Sequence, residues 1–181
     1  MIIYTKKPTS DLTESEILEI SALCYESRDA ANESIDQWVF RKMAESYKNR
    51  DGCYIVFGRD SDDSSIMVNC LFILNLEEST VSKDPDFLKL VDERGFDFKK
   101  ECFVTALMYV HPDYRGLGYG RELLNTTHAY AKEVGYKYLM GFGSMNRNSY
   151  NFYDHVFPED EITDCPDNVS KVTDIMTIRY L

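Results

Sequence analysis

The apolar positions of this chain change period several times, and each change predicts an element. Residues 2–5 (IIYT) read as a short strand, closed by Lys6, Lys7 and Pro8. Thr13 followed by Glu16 has the form of a capping box, in which each side chain satisfies an amide that the helix start leaves free. Ile17, Ile20 and Cys24 then recur at helical spacing. A second helix is predicted over 33–48, with Ile35, Trp38, Val39, Met43 and Tyr47 along one stripe. Two strands follow at 53–58 (CYIVFG) and 66–76 (IMVNCLFILNL), joined by a turn rich in Asp and Ser. Residues 77–100 are polar and irregular apart from a short helix over 84–93 that Gly95 would end.

The run CFVTALMYV at 102–110 is so continuously apolar that it predicts a strand buried on both faces. After a glycine-rich turn, Leu123, Leu124, Thr127, Ala131 and Val134 share one face of a helix predicted over 121–134 and stopped by Gly135. YLMGF at 138–142 is a further strand, NSYNFYDHVF at 148–157 a short helix before Pro158, and KVTDIMTIRYL at 171–181 the last strand. Strands and helices intermixed in this way predict an α/β (α+β) fold around a single mixed sheet. Neither a repeat nor a linker interrupts residues 1–181, so one domain is expected.

Composition narrows the function classes. With 181 residues and 44% hydrophobic residues the chain can bury one sizeable core and is too apolar for a disordered protein. No apolar run reaches the roughly 18 residues that span a membrane, and the N-terminal segment lacks the pattern of a signal peptide. Cys24, Cys53, Cys70, Cys102 and Cys165 are odd in number and widely spaced, with no C-x-x-C pair. His111, His128 and His155 make no H-x-x-x-H pattern. No metal site is expected, and reduced thiols in a cytoplasmic protein fit better than a disulfide framework. The net charge of −11 argues against nonspecific binding of nucleic acid or of anionic membranes and suits a cationic partner, although the same charge serves solubility alone.

The stretch that carries chemistry is VHPDYRGLGYGRELL at 110–124. A strand stops at Pro112, glycines alternate through Gly116, Gly118 and Gly120, and a helix begins at once. Glycines let backbone amides approach a ligand without side chains intervening, and a helix start adds unpaired N–H groups and the positive end of its dipole. Together these make an anion cradle suited to a pyrophosphate. A P-loop would need Lys followed by Ser or Thr after the last glycine, where this chain has Arg121 and Glu122. A dinucleotide fingerprint would need G-x-G-x-x-G and a carboxylate at the end of the next strand, and neither is present.

The turn resembles the cofactor motif of the Gcn5-related N-acetyltransferase (GNAT) family, R/Q-x-x-G-x-G/A after a strand ending in V-x-P. Val110, Pro112, Arg115, Gly118 and Gly120 fill those places in order. A second stretch, NRNSYNFYDHVF at 146–157, is similar to the family's later motif N-x-x-A-x-x-F-Y-x-x-x-G-F. It supplies Asn146, Ser149 in the alanine place, Phe152 and Tyr153, and departs in ending on Val156-Phe157.

The resemblance implies a GNAT-like acyl-CoA N-acyltransferase fold, a mostly antiparallel sheet flanked by helices, and acetyl-coenzyme A as cofactor. It would place coenzyme A in a V-shaped gap between the strand ending at Val110 and the strand of 137–142. Amides of Arg115, Gly116, Leu117, Gly118, Tyr119, Gly120 and Arg121 would hold the pyrophosphate. Backbone near Met108 and Val110 would bind the pantetheine and polarise the acetyl carbonyl in an oxyanion-type arrangement. Asn146 would bond the pantetheine arm, and Tyr153 would be the general acid for the departing thiolate.

The family often carries a carboxylate base two or three places before Met108, where this chain has Thr105 and Ala106. Glu101, at the start of that strand, is the remaining candidate, reaching the site through water. His111 and Asp113 flank the turn, and the x of V-x-P more often faces solvent.

In the family the connection between the first two helices and the final hairpin border the acceptor site. Here they hold Glu26, Asp29 and Glu33 in one, and Glu159, Asp160, Glu161, Asp164 and Asp167 in the other. Phe87, Leu88 and Phe96 of 77–100 are candidate apolar contacts. The expected reaction is transfer of acetyl to a primary amine, on a small cation such as a polyamine or aminoglycoside or on a protein lysine. A homodimer is left open. Two rivals stand beside it: a catalytically silent acyl-CoA sensor or scaffold, and an acidic protein that binds a basic partner.

Overall fold

The computed structural model describes residues 1–28, 35–75, 85–97, 99–143, 161–164 and 175–181. In chain order the elements are β1 (Ile2–Pro8), α1 (Glu14–Ser27), α2 (Gln37–Lys48), β2 (Tyr54–Asp60), β3 (Met67–Asn75), α3 (Pro85–Glu93), β4 (Cys102–Val110), α4 (Tyr119–Glu133), β5 (Tyr138–Gly143), β6 (Glu161–Asp164) and β7 (Ile175–Tyr180). They fall into two units, one of residues 1–73 and 106–130, the other of residues 74–105 and 131–181. Strand β4 and helix α4 each run from one unit into the other.

In the first unit hydrogen-bonded neighbours follow the order β1-β2-β3-β4. β1 and β2 are antiparallel with Ile2 opposite Asp60 and Pro8 opposite Tyr54, and β2 and β3 are antiparallel with Gly58 opposite Asn69. β3 is buried at every residue from Met67 to Leu74, because helices need one apolar surface and a central strand offers two. The capping box forms: Thr13 Oγ1 accepts from the Glu16 amide at 3.2 Å, and the Glu16 carboxylate accepts from the Thr13 amide at 2.8 Å. The helix it starts buries Ile17, Ile20 and Cys24 as the spacing predicts. Tyr47 of α2 lies against Phe72 of β3 with ring centroids 5.1 Å apart.

In the second unit the order is β4-β5-β7-β6. β4 and β5 are parallel over Cys102–Val104 and Tyr138–Met140, while β5/β7 and β6/β7 are antiparallel. The sheet is therefore mixed and mostly antiparallel, as expected. Parallel neighbours need a crossover, which α4 supplies. Phe96 stacks on Tyr138 at 3.8 Å between centroids, below α3, whose end is set by Gly95 at φ 69°. Among the described residues no helix is long and apolar enough to cross a membrane, and Cys24, Cys53, Cys70 and Cys102 are buried and form no disulfide.

Three expectations change and a fourth gains detail. β1 does not stop at Lys6: Lys6, Lys7 and Pro8 all pair with β2, because β1 is the edge of the order and its outer side asks for no ladder bond. The helix predicted over 33–48 is described from Gln37, its buried stripe is Phe40, Ala44 and Tyr47, and Trp38 is exposed. β4 is fully buried only over Cys102–Val104, and from Thr105 to Val110 it is half-buried. Part of the acidic segment assigned to the final hairpin, Glu161–Asp164, is strand β6, antiparallel to β7.

Candidate functional site

The site is built where β4 ends and α4 begins. Leu107 interrupts β4 with φ 49°, the one non-glycine residue with positive φ among the described residues. A left-handed residue of this kind costs roughly 1–2 kcal/mol and breaks the alternation of the strand, as a bulge does. Backbone strain of this sort concentrates at functional sites.

Beyond Val110 the chain is pinned at several points. The His111 amide donates to the Val68 carbonyl at 2.8 Å. The His111 ring caps the 3-10 turn Pro112–Tyr114, its Nδ1 accepting from the Asp113 amide at 3.3 Å, so it faces the turn rather than solvent. The Tyr114 hydroxyl donates to Asp60 Oδ2 at 2.6 Å, which pushes the tyrosine up to about 12 and holds the Asp60 carboxyl below its usual range. The Arg115 guanidinium donates to the Val110 carbonyl at 3.2 Å and to the Ser27 carbonyl at the end of α1.

After this anchored stretch the backbone is bare. Gly116 and Gly118 have φ 77° and 86°, and a Cβ built on either meets nothing within 4 Å. The first amide turned into α4 is that of Glu122, to the Gly118 carbonyl at 3.1 Å. Among the described residues no backbone carbonyl receives an amide of 116–121. Those N–H groups, at the positive end of a 15-residue helix, suit a diphosphate. Leu117 is exposed, and Tyr119 and Gly120 are half-buried. Arg115 differs from expectation: its amide donates to the Pro112 carbonyl at 3.2 Å, so the row of amides without a backbone acceptor begins at Gly116, and the Arg115 guanidinium holds the turn.

Glu101 is engaged elsewhere. Its carboxylate pairs with Lys137 and accepts from the Asp97 amide at 3.3 Å, and these contacts, the Lys137 hydrogen bond foremost, hold its carboxyl below the usual range. It stands before the start of β4, at the opposite end of that strand from the glycine turn, and a weakened base is a poor proton acceptor. Thr105 and Ala106 bring no carboxylate to the strand. Phe87 and Phe96 are buried in the second unit, and Leu88 and Phe96 border a cavity of about 380 Å³ with Val91, Asp92, Asp97 and Lys99. Asn146 and Tyr153 lie outside the described residues, as do Asp29, Glu33, Glu159, Asp160 and Asp167.

Two contributors escape the motif reading. Leu107 carries no sequence signal, since leucine has no preference for this backbone. Asn69 carried one, a lone amide inside the apolar run IMVNCLFIL, and it is wholly buried with Nδ2 3.2 Å from the Tyr119 carbonyl at the start of α4.

Known proteins share this fold. The acetyltransferase (GNAT) family model matches residues 17–157. No curated protein matches the sequence. Among solved structures, an acetyltransferase of the GNAT family from Staphylococcus aureus Mu50 superposes with TM-score 0.66 at 14% identity, 99% of each chain being covered. An acyl-CoA N-acyltransferase from Pseudomonas aeruginosa gives 0.60 at 16%, again over 99% of each chain. A Salmonella typhimurium protein solved with its cofactor acetyl-CoA gives 0.62 at 15%, over 98% of this chain and 93% of its own. At such identities the likeness to these structures is one of fold.

Proposed function

The chain belongs to the acetyltransferase (GNAT) family, whose chemistry is acetyl-coenzyme A-dependent N-acetylation, and from that premise we propose that it transfers acetyl directly to a primary amine of a cationic acceptor. The observation that carries the reading is the row of unclaimed amides from Gly116 to Arg121 at the mouth of α4, flanked by glycine faces with open space. They would hold the pyrophosphate, and the half-buried backbone of β4 at Met108 and Val110 would take the pantetheine and the acyl carbonyl. Acetyl-coenzyme A supplies an acyl group already activated as a thioester.

The residues of the chain then have three tasks. The backbone donor at β4 stabilises charge that develops on the carbonyl oxygen. Tyr153 gives its phenolic proton to the sulfur as the C–S bond breaks and the C–N bond forms. The acceptor must arrive neutral, and an amine of pKa near 10.4 is mostly protonated at neutral pH. With Glu101 committed to Lys137, water takes the amine's proton. The acidic residues named above, Glu26 among them, and the net charge of −11 favour a polyamine, an aminoglycoside or a lysine side chain over a neutral amine.

Free-thiol release from acetyl-coenzyme A tests the reading against a panel of spermidine, an aminoglycoside, a lysine peptide and a neutral-bodied amine. Turnover with a cationic member is expected, and Tyr153→Phe should lower kcat about a hundredfold while coenzyme A affinity holds. Equal rates for Tyr153→Phe and wild type would remove that residue from the mechanism. The lack of a carboxylate at Thr105 and Ala106 favours the second reading, a silent acyl-CoA binder, and tight coenzyme A binding without turnover on any amine would select it.

A further inference from the structure

We infer that Asn69 and Cys70, neighbours in the middle of β3, are positioning residues that fix the two backbone segments of the acyl-transfer site, Asn69 the start of α4 and Cys70 the left-handed residue of β4. The inference rests on the function proposed above.

Both side chains are wholly buried, in a stretch from Met67 to Leu74 that is otherwise apolar. Successive residues of a strand point to opposite faces, so one pair serves both sides of the sheet. Asn69 Nδ2 lies 3.2 Å from the Tyr119 carbonyl and 3.2 Å from the Tyr4 hydroxyl. A carbonyl only accepts, so the amide must present its NH2 there, and this decides which way the side chain faces. That leaves Asn69 Oδ1 buried without a hydrogen-bond partner among the described residues. It occupies space opposite Gly58, where a Cβ would come within 2.7 Å of it. An orphaned buried acceptor is a cost that stability alone does not explain. Holding the first turn of α4, from which the bare amides project, does.

Cys70 Sγ lies 3.6 Å from the carbonyl of Leu107. Leu107, half-buried, is out of the regular strand conformation, and its carbonyl still calls for a donor. On the far side of Cys70 lies the thiol of Cys24 on α1, itself wholly buried and pushed up by burial and by its hydrogen bond with Cys70. The Cys24 thiol therefore keeps its proton, and a Cys70 S–H lies within reach of the Leu107 carbonyl. At the preceding residue of β3, the Val68 carbonyl accepts from the His111 amide. Three consecutive residues of β3 thus grip β4 before the turn, the chain as it leaves β4, and α4 after the turn.

The two residues hold different segments, so their variants should fail differently. Calorimetric titration with coenzyme A reads the cradle, and kcat from thiol release at saturating acetyl-coenzyme A reads the strand. Asn69→Leu, which removes the donor at similar volume, should weaken coenzyme A about tenfold, the effect of one hydrogen bond. Cys70→Val should keep coenzyme A affinity within about twofold and lower kcat about tenfold, and Cys70→Ser, which keeps a donor, should restore most of it. Should Asn69→Leu be recovered unfolded, Asn69→Ala loses the same donor without added bulk and should show the same weakening. Parallel losses in both readouts that track melting temperature, no loss in either, or Cys70→Ser as slow as Cys70→Val would overturn the assignment. Wild-type protein that binds no coenzyme A would instead sink the proposed function and the inference with it.

Discussion

Single residues set the chemistry of the glycine turn through hydrogen bonds that pH can break. Tyr114 donates to Asp60 at 2.6 Å, and each partner shifts the other: the phenol rises to about 12 from a usual 10.0, and the carboxyl falls below its usual 3.8. A depressed carboxyl contributes stability that is present above its ordinary value and lost as pH falls through the folded one. A raised phenol contributes stability that is complete below pH 10.0 and lost as pH climbs through about 12. Urea denaturation between pH 10 and 12 should therefore show stability falling less steeply in Tyr114→Phe than in wild type. Tyr4 and Cys102, both raised to about 12 chiefly by burial, remain in the variant as the residual slope. Identical slopes would mean that the Tyr114 bond contributes nothing to the folded turn. Arg115 teaches a related lesson: its place in the motif was readable, but that its amide is spent inside the turn and its guanidinium clasps Val110 and Ser27 depends on contacts far apart in sequence.

Among the elements, β3 is the one on which both halves of the site lean, and Gly58 on β2 shows how tightly it is held. A methyl there would come within 2.4 Å of Ile2 Cγ2 and 2.7 Å of Asn69 Oδ1. Gly58→Ala should cost about 1–3 kcal/mol by overpacking, measured by urea denaturation, and an unchanged midpoint would show that β1 yields instead. Elements were legible wherever the signal was local. The capping box, the glycine stops at Gly95 and Gly135 and the turn before α4 all declared themselves, because each needs a particular residue type at a fixed offset. What a strand or helix packs against was less legible. The apolar run CFVTALMYV predicts burial throughout, but hydrophobicity cannot reveal that full cover ends after Val104, leaving Thr105–Val110 half-buried. The stripe in α2 was misplaced for the same reason, since Trp38 and Phe40 look alike to a periodicity argument and only Phe40 meets the core. Leu107 was illegible in principle, as its backbone is imposed by the strands and turn around it.

At the scale of the whole molecule, the charge of −11 and the proposed pyrophosphate cradle make opposite demands. An acidic protein repels a polyphosphate at long range, so the cradle must win locally, through dipoles and amides at contact distance where screening is slight. That contest is the central claim. Calorimetric titration of coenzyme A into wild type, Gly118→Asn and Gly118→Asp tests it most directly. Both variants tolerate the left-handed backbone about equally, so their difference isolates a carboxylate placed beside the phosphates. Wild type should bind, and Gly118→Asp should bind at least about tenfold more weakly than Gly118→Asn, consistent with like charges a few ångströms apart. Equal affinities in the two variants, or no binding by wild type, would contradict the account.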